Sequence, residues 1–304
     1  MRLGLLCGRS PHAMHVANTL CARLDVRRIV VETGHDWSWR TVRRALRPAQ
    51  LRARVYRAAR PWLFPARESG AAHFFPGRRP AFDRQDLLAR VAHVNLPAVA
   101  ALLERERVEA IAVFGVSRIR AELLALTPGR LVNLHGGMSP WYRGADSGFW
   151  ALLRGEAHRV GATVHRIDAA IDRGELLARC RPEINGIGCE RMLFWRTMRL
   201  AARVFAETFE RLARGEALGV AQPEAGRLYQ ARERRLRDDL ALRRRLRDGR
   251  CADIRLPEQV EWFHRSTALA AIPAAARAGD SARSGGVQPR ESQAAPRAPV
   301  ATAS

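Results

Sequence analysis

Between residues 133 and 175 the chain reads NLHGGMSPWYRGADSGFWALLRGEAHRVGATVHRIDAAIDRGE. An amide, Asn133, stands two residues before an imidazole, His135, and a carboxylate, Asp172, follows further along. Those three groups are what the movement of an acyl unit onto an amine requires. The attacking nitrogen must lose a proton, the tetrahedral oxyanion needs a donor, and the leaving group needs a proton returned. Asn133 can donate a hydrogen bond without adding charge. His135 titrates nearest to neutral pH and can act first as base and then as acid. If residues 131–134 form a strand, positions two apart share a face, so Asn133 and His135 open into one pocket. Asp172 then sits in a turn that Gly174 permits, where it can orient the imidazole or a proton-carrying water.

Around these three the ordered set is Pro140, Tyr142-Arg143-Gly144, Gly155-Glu156, Gly161-x-Thr163-x-His165 and Asp172-x-Gly174. The set resembles the folate-dependent formyltransferase family, which includes methionyl-tRNA, glycinamide ribonucleotide and amino-sugar formyltransferases. The resemblance runs over residues 1–215, and residues 91–178 carry nearly all of its specificity. It implies that Asn133 is the oxyanion donor, His135 the general base and acid, and Asp172 the orienting carboxylate. It further implies 10-formyltetrahydrofolate as formyl donor and no metal. The pterin pocket would lie at Gly115, Val116 and Ser117, closed by the loop carrying Ile171 and Gly174. The acceptor site would be formed by Gly136, Gly137, Ser139, Tyr142 and Arg143. Many members carry H-x-S-L-L-P, whereas this chain has glycine at the serine position, so Ser139 is the candidate for a displaced hydroxyl. Arg143 reads either as a partner for a phosphate or carboxylate of the acceptor or as a surface ion pair. His165 reads as a core or supporting histidine and Asp168 as a turn residue.

The elements that must position these groups follow from apolar patterning. Residues 2–7 and 26–32 are β-rich runs around a helical pattern from His12 to Leu24, a βαβ unit that implies a parallel sheet. The turn Cys7-Gly8-Arg9-Ser10-Pro11 is not G-x-G-x-x-G, so nothing indicates dinucleotide binding. Helices are expected at 96–106, 120–126, 147–153 and 188–214, with strands at 110–114, 131–134, 161–167 and 176–184. The fold class is therefore α/β, a doubly wound, mostly parallel sheet whose ligands bind beyond the C-terminal strand ends. A catalytic domain is expected over 1–215, with a basic insertion at 36–90. A helical extension would span 216–273, with a short extended piece at 226–229 and a charged helix at 233–248, and a disordered tail 274–304.

Composition narrows the partners. The formal charge is +22, and every basic side chain counted is Arg, with no Lys at all, the pattern of a GC-rich coding sequence. Such a bias accounts for the missing Lys but not for 52 basic against 30 acidic residues, so a polyanionic partner such as nucleic acid stays open. In the insertion, arginines at 40, 43, 44, 47, 52, 54, 57 and 60 alternate with Leu46, Leu51, Val55 and Tyr56. That reads as an exposed amphipathic helix pair or lid, or as a phosphate-binding or membrane-surface helix. Five scattered cysteines without C-x-x-C spacing suggest neither zinc nor a disulfide framework, and reduced thiols in the cytoplasm are expected. No apolar run is long enough to span a membrane. The leading expectation is an N-formyltransferase acting on a small-molecule primary amine, such as an amino-sugar nucleotide or a peptide amine. Methionyl-tRNA formylation is favoured by charge, but residues 220–304 lack the strand pattern of the C-terminal β-barrel that such members carry. A non-catalytic basic binding module on the same fold is the reading from another class.

Overall fold

A computed structural model describes residues 1–34, 48–168, 172–222, 226–249 and 251–265. The expectations for Arg40–Arg47, Ile171 and the tail from 274 fall outside these residues. Strands buried on both faces carry continuous apolar runs, as Leu3–Cys7 and Ala110–Phe114 do, and five strands run parallel. They are Leu3–Cys7 (β1), Val26–Glu32 (β2), Leu88–Val91 (β3), Ala110–Phe114 (β4) and Leu131–His135 (β5). Further on come Tyr142–Gly144 (β6), Ala162–Arg166 (β7), Leu176–Arg181 (β8) and Ile184–Asn185 (β9). The last three are Arg227–Tyr229 (β10), Arg255–Leu256 (β11) and Gln259–Trp262 (β12). One eight-stranded sheet has the order β12-β8-β7-β5-β4-β1-β2-β3, in which β7, β8 and β12 each pair antiparallel. Two small ribbons, β6 with β10 and β9 with β11, complete the strands.

Helices cover both faces. They are Pro11–Arg23 (α1), Pro48–Leu63 (α2), Gly70–Phe74 (α3), Pro97–Arg105 (α4), Ala121–Leu126 (α5), Ser147–Leu153 (α6), Glu190–Ala213 (α7) and Leu236–Arg247 (α8). Successive strand residues point to opposite faces. Leu3, Leu5 and Cys7 accordingly pack with α1 and α7, while Leu6 packs with α4 and α5 through Val99, Leu103 and Leu123. Leu5 and Leu6 are fully buried, and each such side chain contributes about 1.5–3 kcal/mol of transfer free energy. α1 starts where Ser10 Oγ accepts the Ala13 N–H, with Pro11 at the first helical position. The doubly wound, mostly parallel α/β class is thus what the strand pairing shows.

Some expectations are corrected. Leu88–Val91, assigned to the insertion, is the edge strand β3 beside β2. The expected strand 176–184 divides at Pro182, which has no N–H for the ladder. α8 begins at Leu236 rather than 233, because the Glu233 carboxylate turns back to the Gln230 and Arg227 donors. The segment after 215 is not simply helical. The extended piece expected at 226–229 is β10, and the segment also supplies β11 and β12, with β12 in the main sheet against β8. It also shares a second core, in which Tyr142, Phe149 and Leu152 pack with Tyr229, Leu242 and Cys251. A short edge strand such as QVEW alternates too briefly to register as a pattern, and its identity comes from the edge it meets.

Candidate active site

β5 ends at the C-terminal edge of the parallel half, where it meets the first antiparallel strand. That antiparallel register sets Asn133 opposite His165 and His135 opposite Thr163. Directly opposed residues lie within side-chain reach, and Asn133 Nδ2 is 3.1 Å from His165 Nε2. The Asp172 carboxylate closes the group. Its Oδ1 is 3.4 Å from His165 Nε2 and its Oδ2 is 3.7 Å from His135 Nδ1. The Gly144 N–H donates to Oδ2 at 3.0 Å. One carboxylate therefore faces two imidazoles and is tied to the last residue of β6.

The loop holding Asp172 is built by close approach. Asp172 adopts a left-handed backbone, φ 51°, which Asp tolerates better than most residues. A Cβ at Gly174 would fall 1.8 Å from the Arg166 carbonyl oxygen, so only glycine lets the chain pass there. Gln222, which sequence reasoning did not single out, donates from Nε2 to the Asp172 carbonyl at 3.1 Å and to the Gly174 carbonyl at 2.8 Å. No local signal marks Gln222, because it arrives from a segment 50 residues away.

Protonation follows from these contacts. Burial pushes His135 below the ordinary imidazole range, against the pull of Asp172, so the ring is neutral at pH 7. Burial alone would raise the Asp172 carboxyl. His135, His165 and the Gly144 N–H outweigh it and hold the acid well below the usual carboxylate range. His165 Nδ1 lies 2.8 Å from the Arg166 carbonyl oxygen, which can only accept. The neutral ring consequently carries its proton on Nδ1 and offers Nε2 to the Asn133 amide.

A pH dependence follows. His12 is lowered to about 4 by burial, and His135 is lowered as well. Below about 6.5 the unfolded chain binds protons that the folded chain refuses, so the stability present above that pH is lost as pH falls. Chemical denaturation at pH 7.5 and 5.0 should show a lower unfolding free energy at pH 5.0, and His12→Asn should reduce the difference.

A pocket of about 220 Å³ opens beside the carboxylate, lined by Val113, Val116, Ser117, Ile119, Asn133, His165, Ile167 and Asp172 among others. Of the expected cofactor residues, Val116 and Ser117 reach it, whereas Gly115 and Gly174 shape the chain nearby. The Ser117 N–H is already bound, by Glu32 Oε2 at 2.7 Å. Asn133 and Asp172 line the pocket, and His135 stands one group behind it, at 9% exposure. His165, read from the sequence as a supporting residue, lines the pocket between the other two.

The expected acceptor residues are placed differently. Tyr142 is buried, stacked on Tyr229 at 5.8 Å, with its hydroxyl on Glu156 at 2.8 Å. Arg143 is buried and donates to the Gly226 carbonyl at 3.3 Å. Ser139 is fully buried, and its Oγ has no hydrogen-bond partner among the described residues. The hydroxyl beside His135 is instead Ser147 Oγ, 3.5 Å from Nε2. This accounts for Gly137, since a Cβ there would lie 2.4 Å from Ser147 Cβ and 2.5 Å from His135 Nε2. Gly136 packs against Phe194 for the same kind of reason. Among the described residues no group of three or more His, Cys, Asp or Glu is disposed to hold a metal ion.

Comparison with known proteins gives the same centre of gravity. Residues 71–206 match the family model described as Formyl transferase. The chain is 35% identical over 118 residues to the methionyl-tRNA formyltransferase of Koribacter versatilis, covering 38% of either chain. It is 34% identical over 98 residues to that of Citrifermentans bemidjiense, covering 32% of this chain and 30% of the relative. The matched segment thus spans about a third of the length of these relatives. Among solved structures, glycinamide ribonucleotide transformylase 1 from Symbiobacterium toebii aligns with 19% identity and a TM-score of 0.44, over 76% of this chain and 94% of that one. A sugar N-formyltransferase from a Shewanella species aligns with 14% identity and a TM-score of 0.48, over 80% and 86%. Residues 71–206, the part of the chain that matches the formyl transferase family model, hold Asn133, His135, His165 and Asp172.

Proposed function

We propose that the chain transfers a formyl group from 10-formyltetrahydrofolate to a primary amine of a small molecule. The observation that carries this reading is the single carboxylate, Asp172, set between His135 and His165 with Asn133 at the open end. In the proposed reaction the amine nitrogen bonds to the formyl carbon, and the carbonyl oxygen takes up negative charge within reach of the Asn133 amide. The proton released by the amine passes to His135, which is neutral at pH 7, through the space that Asp172 borders. Collapse of the tetrahedral centre breaks the bond to the donor nitrogen, and that nitrogen recovers the proton.

The pocket suits the ring end of a folate. Val113, Val116, Ile119 and Ile167 give apolar walls, and Ser117, Asn133 and Asp172 give a few convergent polar groups. Its volume of about 220 Å³ is below the roughly 300–1,000 Å³ of a site that encloses a whole ligand, so the remainder of the donor would lie outside.

Asn133→Ala is expected to reduce kcat for formyl transfer by about 10²–10³-fold with little change in KM for the folate. The assay uses the purified chain, 10-formyltetrahydrofolate and a panel of amino sugars, amino-sugar nucleotides and amino acids. Turnover by Asn133→Ala equal to that of the unsubstituted chain would overturn the assignment. Methionyl-tRNA as acceptor is the second reading, favoured by the curated relatives and by the net charge of +22. A gel shift with tRNA distinguishes the two, because phosphate-driven affinity falls steeply between 50 and 200 mM salt.

A further inference from the structure

Helix α2 presents its apolar face outward. Leu51, Val55 and Trp62 are 47%, 61% and 87% exposed, and with Ala58 they stand at i, i+4, i+7 and i+11 on one side. The opposite side holds the helix to the body. Tyr56 Oη donates to Asp239 at 2.5 Å, Arg60 pairs with Asp146 at 3.1 Å, and Arg191 reaches the Phe64 carbonyl just past the helix at 3.1 Å. The outward stripe is therefore not an unfinished core contact; the docked face is already satisfied. Arg52 and Arg54 flank the stripe, Arg57 stands beyond Arg54, and none of the three pairs with a carboxylate among the described residues. The sequence contains no Asp or Glu between Asp36 and Glu68.

We infer that α2 lies in the headgroup region of an anionic lipid bilayer, with Leu51, Val55 and Trp62 inserted and Arg52, Arg54 and Arg57 at the phosphates. An apolar stripe edged by arginines, with tryptophan at one end, matches a bilayer interface, where apolar burial and cation attraction act together. A second copy of the chain is disfavoured, because two such faces would bring arginines together without carboxylates. Nucleic acid uses the arginines but offers no apolar phase for Leu51 and Val55. Neighbouring α8 adds Leu236 and Leu240, 46% and 51% exposed, next to Arg237, Arg243 and Arg244. No described helix is long and apolar enough to cross a membrane, so the contact is peripheral. The inference is independent of the proposed reaction.

The test is co-sedimentation of the full chain with vesicles at 150 mM salt, either phosphatidylcholine alone or with about one third phosphatidylglycerol. Binding is expected only to the anionic vesicles. Val55→Glu combined with Trp62→Glu should weaken it at least about tenfold, because both changes put charge into the apolar layer. Each of Arg52→Gln, Arg54→Gln and Arg57→Gln should weaken it about fivefold. Circular dichroism and formyl transfer in solution should be unchanged in all of these variants. No binding to anionic vesicles would overturn the proposal. So would binding insensitive to Val55→Glu and Trp62→Glu, as would a concentration-dependent dimer that those changes abolish. Competition in which tRNA binds and vesicles do not would assign the surface to nucleic acid instead.

Discussion

Asp172→Asn is expected to lower kcat/KM for formyl transfer by about 10²–10⁴-fold, with the fold retained. Asn tolerates the left-handed backbone at φ 51° and matches Asp in size, so the loop held by Gln222 stays in place. What disappears is the charge that faces His165 at 3.4 Å and His135 at 3.7 Å. The sign of the accompanying pH effect separates this role from a structural one. Asp172 raises the basicity of His135, opposing burial. Its neutralisation makes the ring harder to protonate, so the acid limb of kcat/KM should move to lower pH rather than higher. A pH–rate profile of both forms measures this. An acid limb that moves up, or activity within threefold of the unsubstituted chain, would remove Asp172 from the proposed mechanism.

The largest loss of stability should follow Arg234→Ala. This guanidinium is buried and meets three carboxylates, Asp239 at 2.5 Å, Asp146 at 3.0 Å and Glu190 at 3.3 Å. It also stacks over the Phe149 ring at 3.5 Å. Burial disfavours its charge, and the three acids more than compensate, leaving its pKa raised. Truncation strands the acids in a poorly solvated site, which costs about 3–5 kcal/mol. Denaturant melts should show a lower midpoint with an unchanged m-value. Arg234→Lys should recover only part of the loss, because an ammonium cannot form the paired contacts or the stack. Since Asp146 immediately precedes Ser147, whose hydroxyl neighbours His135, kcat should fall along with stability. A change below 1 kcal/mol would mean that water already satisfies these carboxylates.

Several local facts were legible without coordinates. The β-rich runs at 2–7, 110–114 and 131–134 mark buried strands, because a strand covered on both faces has no room for alternation. The two-residue spacing of Asn133 and His135 determines that both leave β5 on one face. Glycine at 174 marks a close passage of backbone, and the structure shows the Arg166 carbonyl in the space a side chain would need.

Tertiary structure alone decided the partners. His165 meets Asn133 only because β7 runs antiparallel to β5, and strand direction is a property of the connection, not of the residues within either strand. Ser147 displaces Ser139 beside His135 because α6 folds back over the loop, and a hydroxyl's position along the chain says nothing about that return. Tyr142 and Arg143 look like ligand-binding types in the sequence, yet the segment from 226 onward covers them and turns both inward. Burial also sets the charge on His135, since the free energy of an ion depends on what surrounds it and not on which residues precede it.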